Sequence, residues 1–155
     1  MEPNLEQTEG GEGDRGAGYS DRWADQIPVA LVVEDEEMVL QLARLMLTME
    51  GFRVLAAAGE DEAVSLAEQY PGRIDLLLAD VKLRQGSGPG AASRLALRRP
   101  DLEIVYMSGY SRSELTGTYL IGADAAFLQK PFNVSAFRSA VRIRFPGISS
   151  WTGKV

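Results

Sequence analysis

Cysteine and histidine are both missing from this 155-residue chain. Without cysteine it can form no disulfide, no thiolate metal site and no cysteine nucleophile, which is compatible with a reducing cytoplasm. Without histidine it can have no Ser-His-Asp triad, no histidine metal ligand and no phosphohistidine of its own. Any chemistry must therefore come from carboxylates, hydroxyls, lysine, backbone amides and a bound hard cation.

Long apolar runs and an excess of positive charge are also absent. No apolar run approaches ~18 residues, so we expect no membrane contact. The acidic N-terminus lacks the basic and apolar stretches of a secretory signal. The net charge of -6 argues against a nucleic acid as partner, because phosphate binding needs a basic face. Together these absences predict a cytoplasmic protein.

The uneven charge predicts how the chain is divided. Residues 1–26 hold seven acids against two arginines, together with five glycines and little that could build a core. We interpret them as a disordered acidic tail or linker. Residues 27–146 then form one folded domain, since the chain is too short for two ordinary ones. Residues 147–155 are predicted to be a short C-terminal tail.

Within 27–146, short apolar runs alternate with amphipathic segments, which is typical of parallel strands joined by crossover helices. The predicted strands are 29–33, 52–57, 74–79, 102–107 and 124–129. The predicted helices are 36–50, 60–70, one from a Gly-rich loop at 86–90 to about 99, one from about 111, and 133–145. The first helix has Met38, Leu42, Leu45 and Met49 along one face. This order predicts an α/β fold, a doubly wound five-stranded parallel sheet with five helices, flavodoxin-like (βα)5.

Polar side chains follow four of the five predicted strands. They are Glu34 and Asp35, then Asp80, then Ser108 and Gly109, then Lys130 with Pro131. The carboxyl ends of parallel strands meet at one edge of a sheet, where ligands bind in such folds. One acid at a strand end is often only a helix cap, but capping does not explain the whole set.

Three acids gathered at this edge would repel one another. Two carboxylates ~4 Å apart repel by several kcal/mol at an effective dielectric constant of about 20. A hard divalent cation with oxygen ligands, above all Mg2+, would relieve that repulsion between Glu34, Asp35 and Asp80. Phosphoryl transfer needs such a metal, a nucleophile in line and donors, which Lys130 and Ser108 could supply. With an acid as the nucleophile, the product is an acyl phosphate.

A set of motifs carries a family resemblance. They are VVED at 32–35, LLLADVKL at 76–83, the glycine at 88, MSGY at 107–110 and FLQKPF at 127–132. Residues 28–145, about three quarters of the chain, resemble the response-regulator receiver family (CheY-like). The resemblance implies that Asp80 is the phosphoacceptor. It also implies that Mg2+ is held by Glu34, Asp35, Asp80 and the backbone carbonyl of Lys82.

The resemblance also implies a switch. Ser108 would be the switch hydroxyl, Gly109 would leave backbone access, and Lys130 would bind the phosphate, with a cis bond before Pro131. Phe127 stands where the family's switch aromatic usually lies, although an ordinary core phenylalanine is an equal alternative. Phosphorylation would then change the face formed by helix four, strand five and helix five.

Two positions depart from the family pattern. Receivers commonly carry a proline where this chain has Arg84, so we expect a more basic and more mobile loop after Asp80. Glu34 stands where a second aspartate is most common, and it keeps the charge on a longer side chain.

Three other interpretations compete with a phosphorylated receiver. A nucleotide- or flavin-binding module would need a glycine-rich phosphate loop after the first strand, where this chain has EDEE at 34–37. A hydrolase with Ser108 as nucleophile fails because Tyr106 occupies the first glycine of G-x-S-x-G and no histidine base exists. A degenerate receiver acting only as a protein-binding module retains all the motifs and stays open as the alternative.

The implied partners follow from the missing histidine. The resemblance implies that the phosphoryl group comes from a phosphohistidine of a sensor histidine kinase or a histidine phosphotransfer protein. That histidine must lie on another protein or domain, because this chain has none. The domain itself would not be an enzyme, beyond assisting its own phosphorylation and dephosphorylation. About ten residues follow the last predicted helix, so we expect either a single-domain regulator or the receiver of a hybrid histidine kinase. A downstream protein would bind the helix 4–strand 5–helix 5 face, and the chain would be a monomer or a weak dimer.

Overall fold

The computed structural model describes residues 27–118 and 121–146. The two predicted tails, 1–26 and 147–155, lie outside these residues. The strands are β1 (Val29–Val33), β2 (Arg53–Ala57), β3 (Leu76–Asp80), β4 (Glu103–Ser108) and β5 (Ala126–Gln129). The helices are α1 (Glu37–Met49), α2 (Glu60–Gln69), α3 (Gly88–Ala96), α4 (Arg112–Thr118) and α5 (Val134–Arg144). The predicted (βα)5 alternation is confirmed.

The five strands form one parallel sheet in the order β2-β1-β3-β4-β5. This is the predicted doubly wound, flavodoxin-like arrangement, in which the chain adds strands first on one side of β1 and then on the other. The central strands β1 and β3 are buried along their whole length. Their carboxyl ends are adjacent, with Val33 paired to Ala79, so the residues that follow them start side by side.

Each face of the sheet has its own apolar core. Alternate residues of β1 point to opposite faces, as strand geometry requires. Ala30 and Val32 belong to the core under α1 and α5, whereas Leu31 and Val33 belong to the core under α2 and α3. A third and much smaller cluster, under α4, consists of Val81, Leu115 and Ile121 as its buried members. The five helices therefore cover both faces, but not with equal amounts of core.

The four apolar residues predicted to share one face of α1 do so, and that face is exposed. Exposed fractions are 86% for Met38, 41% for Leu42, 58% for Leu45 and 55% for Met49. The side that packs on the sheet instead carries Leu40, Ala43, Met46 and Leu47. The helix has apolar residues on two sides, and only one side can reach the sheet.

The start of α3 differs from the sequence prediction. Residues 88–90, expected in a loop, form the first turn of this helix. The Ser87 hydroxyl caps the helix by accepting a hydrogen bond from the Gly90 amide at 3.0 Å. Pro89 fits the first turn, where an amide hydrogen has no helical partner. The loop predicted from the glycine content of this segment was therefore three residues too long.

The starts of α4 and α5 follow the sequence closely. Ser111 and Glu114 form a capping box at the start of α4, since the Ser111 amide donates to Glu114 Oε1 at 2.7 Å and the Glu114 amide to Ser111 Oγ at 3.3 Å. Asn133 caps α5 by accepting from the Ala136 amide at 2.8 Å. Across residues 27–118 and 121–146, none of the helices has the length and apolarity that a bilayer span requires.

Candidate functional site

Three carboxylates meet at the carboxyl edge of the sheet. Glu34 and Asp35 follow β1, and Asp80 is the last residue of β3. One oxygen from each of the three side chains lies within 4.8 Å of the others. Glu34 and Asp80 are buried, with 1% and 7% of their surface exposed, and Asp35 is half-buried. The structure therefore brings together the three acids that the sequence placed at this edge.

Lys130 reaches into this acidic cluster from the end of β5. Its Nζ lies 2.8 Å from Oδ2 of Asp80 and 2.8 Å from Oε1 of Glu34. A more distant contact of 3.8 Å joins it to Glu36 at the start of α1. The Lys130 amide donates to the Ser108 carbonyl at 2.8 Å, which holds its backbone beside the end of β4. The lysine therefore bridges the ends of β1 and β3.

The charges of the site are not balanced. Burial raises the pKa of Glu34, and the nearby charge of Asp80 adds to this, against opposing hydrogen bonds from Lys130 and the Glu36 amide. Burial alone would lower the pKa of Lys130, but hydrogen bonds and charges from Asp80 and Glu34 outweigh it and raise that pKa. One lysine against three carboxylates leaves an excess of negative charge.

Backbone amides fix the orientation of all three carboxylates. The donors are Glu36 to Glu34 Oε2 at 3.0 Å, Lys82 to Asp80 Oδ1 at 3.3 Å, and Arg84 to Asp35 Oδ2 at 2.6 Å. The first two bonds each join residues two positions apart, one in the loop after β1 and the other in the loop after β3. The Arg84 bond joins two different loops, and sequence reasoning did not find it.

The end of β4 provides a buried hydroxyl beside open space. Ser108 is fully buried, and its Oγ accepts a hydrogen bond from the Tyr110 amide at 3.0 Å. Gly109 is exposed, and a Cβ at this position would meet no atom within 4 Å. Packing among the described residues therefore does not demand a glycine here, and the open space leaves its backbone accessible.

Phe127 lies in β5 beneath the start of α4. It is half-buried and packs on the small cluster of Val81, Leu115 and Ile121. The Arg112 guanidinium lies 5.4 Å from the centre of its ring, a cation–π contact. The ring thus connects strand β5 to α4.

The residues after β5 turn back toward α1. The peptide bond between Lys130 and Pro131 is cis. Phe132 is half-buried and packs against Phe137, with ring centres 5.8 Å apart. A mostly apolar groove of about 470 Å³ runs beside the acidic cluster, lined by Glu36, Val39, Leu42, Gly109, Lys130, Pro131 and Phe132. The exposed apolar residues of α1 were the sequence signal that could have revealed this groove.

The loop after Asp80, expected to be mobile, is tied to the start of α2. The Gln85 carbonyl accepts from the Glu60 amide at 3.0 Å, and its side-chain oxygen accepts from the Asp61 amide at 2.8 Å. Glu60 Oε1 in turn accepts from the Ser87 amide at 2.9 Å. Gly86 between them has a φ of 78°, a conformation that favours glycine. Hydrogen bonds thus hold a loop that lacks the usual proline.

The donor set fits a divalent cation. Hard cations such as Mg2+ take oxygen ligands, and three carboxylates lie close enough to share one. The negative charge left after pairing with Lys130 would be balanced by that ion. Glu34, Asp35 and Asp80 are therefore the side chains that could hold it.

Comparison with known proteins identifies similar domains. The family model for the response regulator receiver domain matches residues 30–142. Sensor kinase CckA of Brucella abortus is 30% identical over 72% of this chain and 12% of its own length. Transcriptional regulatory protein PdtaR of Mycobacterium tuberculosis is 33% identical over 81% of this chain and 62% of its own. This chain thus spans less than two thirds of both relatives.

The likeness extends to solved structures. A CheY-like response regulator receiver domain protein from Methanospirillum hungatei JF-1 superposes with a TM-score of 0.67 at 25% identity. The alignment covers 81% of this chain and 98% of that one. The shared part therefore corresponds to a whole receiver domain.

Proposed function

Because the chain belongs to the response regulator receiver domain family of two-component systems, we propose that Asp80 is its phosphoacceptor. The observation that carries this proposal is the position of the Asp80 carboxylate, 2.8 Å from Lys130 Nζ and within 4.8 Å of oxygens of Glu34 and Asp35. Membership of this family supports a phosphohistidine of a sensor histidine kinase or a histidine phosphotransfer protein as the donor. That histidine lies on another protein or domain, since this chain contains none.

In the proposed reaction an Asp80 oxygen attacks the phosphorus atom of the phosphohistidine. The new O–P bond forms as the P–N bond breaks, and the imidazole nitrogen keeps the electron pair of that bond. The product on this chain is an acyl phosphate. Lys130 donates to the phosphoryl oxygens, and the Ser108 hydroxyl turns toward them. The open space at Gly109 leaves room for the incoming group.

Mg2+ is the cation we propose for the acidic cluster. Glu34, Asp35, Asp80 and the backbone carbonyl of Lys82 would hold it. When bound, it would supply positive charge that offsets the negative charge of the carboxylates and of the phosphoryl group. Glu34 performs here the role for which aspartate is more common. Its Oε1 accepts a hydrogen bond from Lys130, and its Oε2 accepts one from the Glu36 amide.

Phosphorylation is proposed to change the face formed by α4, β5 and α5, where a downstream protein would bind. Ser108 at the end of β4 and Lys130 at the end of β5 would form hydrogen bonds with the phosphoryl group. Phe127 in β5 responds by moving relative to Arg112 and the cluster under α4. A phosphoryl group that binds one of two conformations better shifts the population toward it.

The groove between α1 and the residues after β5 is the proposed docking surface of the phosphohistidine donor. It lies next to Lys130, and Leu42 of the exposed apolar face of α1 lines it. Exposed apolar surface next to a reaction site is typical of protein docking. A donor that covers this face brings its histidine to Asp80 and removes Met38, Leu42 and Leu45 from water.

The remaining features of the proposal are general. Residues 27–146 act as one cytoplasmic domain that is regulatory and assists its own phosphorylation and dephosphorylation. It is a monomer or a weak dimer. One curated relative is a sensor kinase and another is a transcriptional regulator, so both a separate regulator and the receiver of a hybrid histidine kinase are compatible with it.

Treatment with a small acyl phosphate and Mg2+ tests the proposed phosphoacceptor. The intact mass of the wild type should rise by one phosphoryl group, and Asp80→Asn should gain nothing. Asp124→Asn is the matched control, because Asp124 is an exposed acid at the opposite end of β5 and should leave labelling unchanged. Failure of the wild type to gain mass, under conditions that label another receiver, would refute the proposal.

A further inference from the structure

The loops after β1 and β3 are joined by one short hydrogen bond. The Arg84 amide donates to Oδ2 of Asp35 at 2.6 Å, across 49 residues of sequence. Proline, the residue that receivers commonly have at position 84, possesses no amide hydrogen and could not make this bond. We propose that the backbone N–H of Arg84 is a positioning group that orients Asp35 for Mg2+. This inference rests on the metal site of the proposed function.

Asp35 is the member of the acidic cluster that most needs such a donor. Glu34 and Asp80 are buried and paired with Lys130, whereas Asp35 is half-buried and is absent from that pairing. A carboxylate with part of its surface in water can adopt several orientations. The amide on Oδ2 selects one of them, in which an Asp35 oxygen lies within 4.8 Å of oxygens of Glu34 and Asp80. Hydrogen bonds of this kind to ligating carboxylates raise metal affinity.

The loop that carries Arg84 is built to hold its amide in place. Leu83, on one side, is buried in the core under α2 and α3. Gln85, on the other side, bonds the start of α2 through its backbone carbonyl and its side chain. The amide of residue 84 is thus fixed from both sides without the rigidity of a proline ring. Asp35 therefore meets a donor whose position does not depend on the arginine side chain.

The charge of the exposed Arg84 guanidinium needs its own control. A positive charge close to the acidic cluster would disfavour a second cation, so its removal alone should not weaken Mg2+ binding. Arg84→Pro removes both the guanidinium and the amide hydrogen, whereas Arg84→Ala removes only the guanidinium. Comparing these two variants isolates the hydrogen bond to Asp35.

Calorimetric titration with Mg2+ alone, on the full chain, is the test. Arg84→Pro should bind Mg2+ about tenfold more weakly than Arg84→Ala, the lower end of the effect of losing a hydrogen bond to a metal ligand. Equal affinities for the two variants would overturn the inference while leaving the metal site itself intact. Absence of Mg2+ binding by the wild type as well would overturn both.

A second measurement does not depend on how Arg84→Pro folds. In the wild type, the amide proton of Arg84 should resonate downfield and exchange slowly with solvent. Asp35→Ala should move that resonance upfield and speed its exchange, and the amide of Ser87, which bonds Glu60, should stay unchanged. If Asp35→Ala changes neither the chemical shift nor the exchange rate of the Arg84 amide proton, the inference is overturned.

Discussion

The ammonium group of Lys130 lies 2.8 Å from a carboxylate oxygen of Asp80, the residue that we propose accepts the phosphoryl group. At the same distance it binds Glu34. One cation therefore serves two buried acids from neighbouring strands. A divalent ion would have to share these acids with the lysine, whereas a phosphoryl group would bring new oxygens for the lysine to bind.

Lys130→Met should separate metal binding from phosphorylation. Removing a positive charge from the acidic cluster should tighten Mg2+ binding by on the order of tenfold, because the ion no longer competes with the ammonium group. Loss of the donor should slow labelling by a small acyl phosphate about a hundredfold. Calorimetry measures the first effect and intact mass against time the second. Weaker Mg2+ binding in this variant would contradict the account.

Gly88→Ala should destabilise the domain. A methyl group at this position would overlap the carbonyl oxygen of Asp80, which belongs to the backbone and cannot move aside easily. We expect a loss of about 1–3 kcal/mol in the free energy of unfolding, measured with urea. Gly117→Ala is the control, because a Cβ there meets nothing within 4 Å and alanine favours a helix. Similar losses in both variants would show that the overlap is not the cause.

The tie between α1 and α5 should contribute to stability. Glu50, only 3% exposed in its side chain, pairs with Arg138 at 2.7 Å and Arg142 at 3.3 Å. Glu50 lies at the C-terminal end of α1, where the helix dipole is negative and disfavours a carboxylate. The two arginines offset that repulsion. Since both arginines are partly exposed, Arg138→Ala should cost about 1–2 kcal/mol in urea denaturation, less than for a fully buried pair. The exposed Arg98→Ala should change stability by under about 0.5 kcal/mol. Equal losses of stability in Arg138→Ala and Arg98→Ala would show that the ion pair between Glu50 and Arg138 does not stabilise the domain.

The exposed face of α1 should matter for the protein donor and not for a small one. Leu45→Asp should slow phosphotransfer from a phosphorylated histidine kinase about tenfold, because a charge would have to be buried against the donor. Labelling by a small acyl phosphate should be unchanged. Leu97, 85% exposed just after α3, provides the control variant Leu97→Asp. The docking proposal fails if both variants accept the phosphoryl group from the kinase equally well.

The positions of the strand ends could be predicted because buried parallel strands are nearly continuous apolar runs. The polar residue that stops each run then lies at the carboxyl edge, which is how Asp80 and Lys130 were placed together. Their contact follows from the order of the strands and from the reach of a lysine side chain. Most of the polar residues at this edge could therefore be predicted from local sequence patterns.

Other features depend on contacts that no local pattern records. The apolar residues of α1 lie on two sides, and periodicity alone does not say that the side with Leu45 faces water while the side with Leu47 faces the sheet. The bond from Arg84 to Asp35 joins loops 49 residues apart. The sequence showed that a proline was missing, but only the folded backbone shows where the resulting amide hydrogen points.

The small cluster under α4 has a consequence for the dynamics of the domain. Only Leu115 anchors this helix among the buried residues of that cluster, whereas α1 and α5 share a large core. Segments with few buried apolar contacts open at low free energy without unfolding the rest. Hydrogen exchange should therefore be fastest in α4 among the five helices. A modest difference in phosphate contacts would then be enough to alter the surface that we propose for a downstream protein.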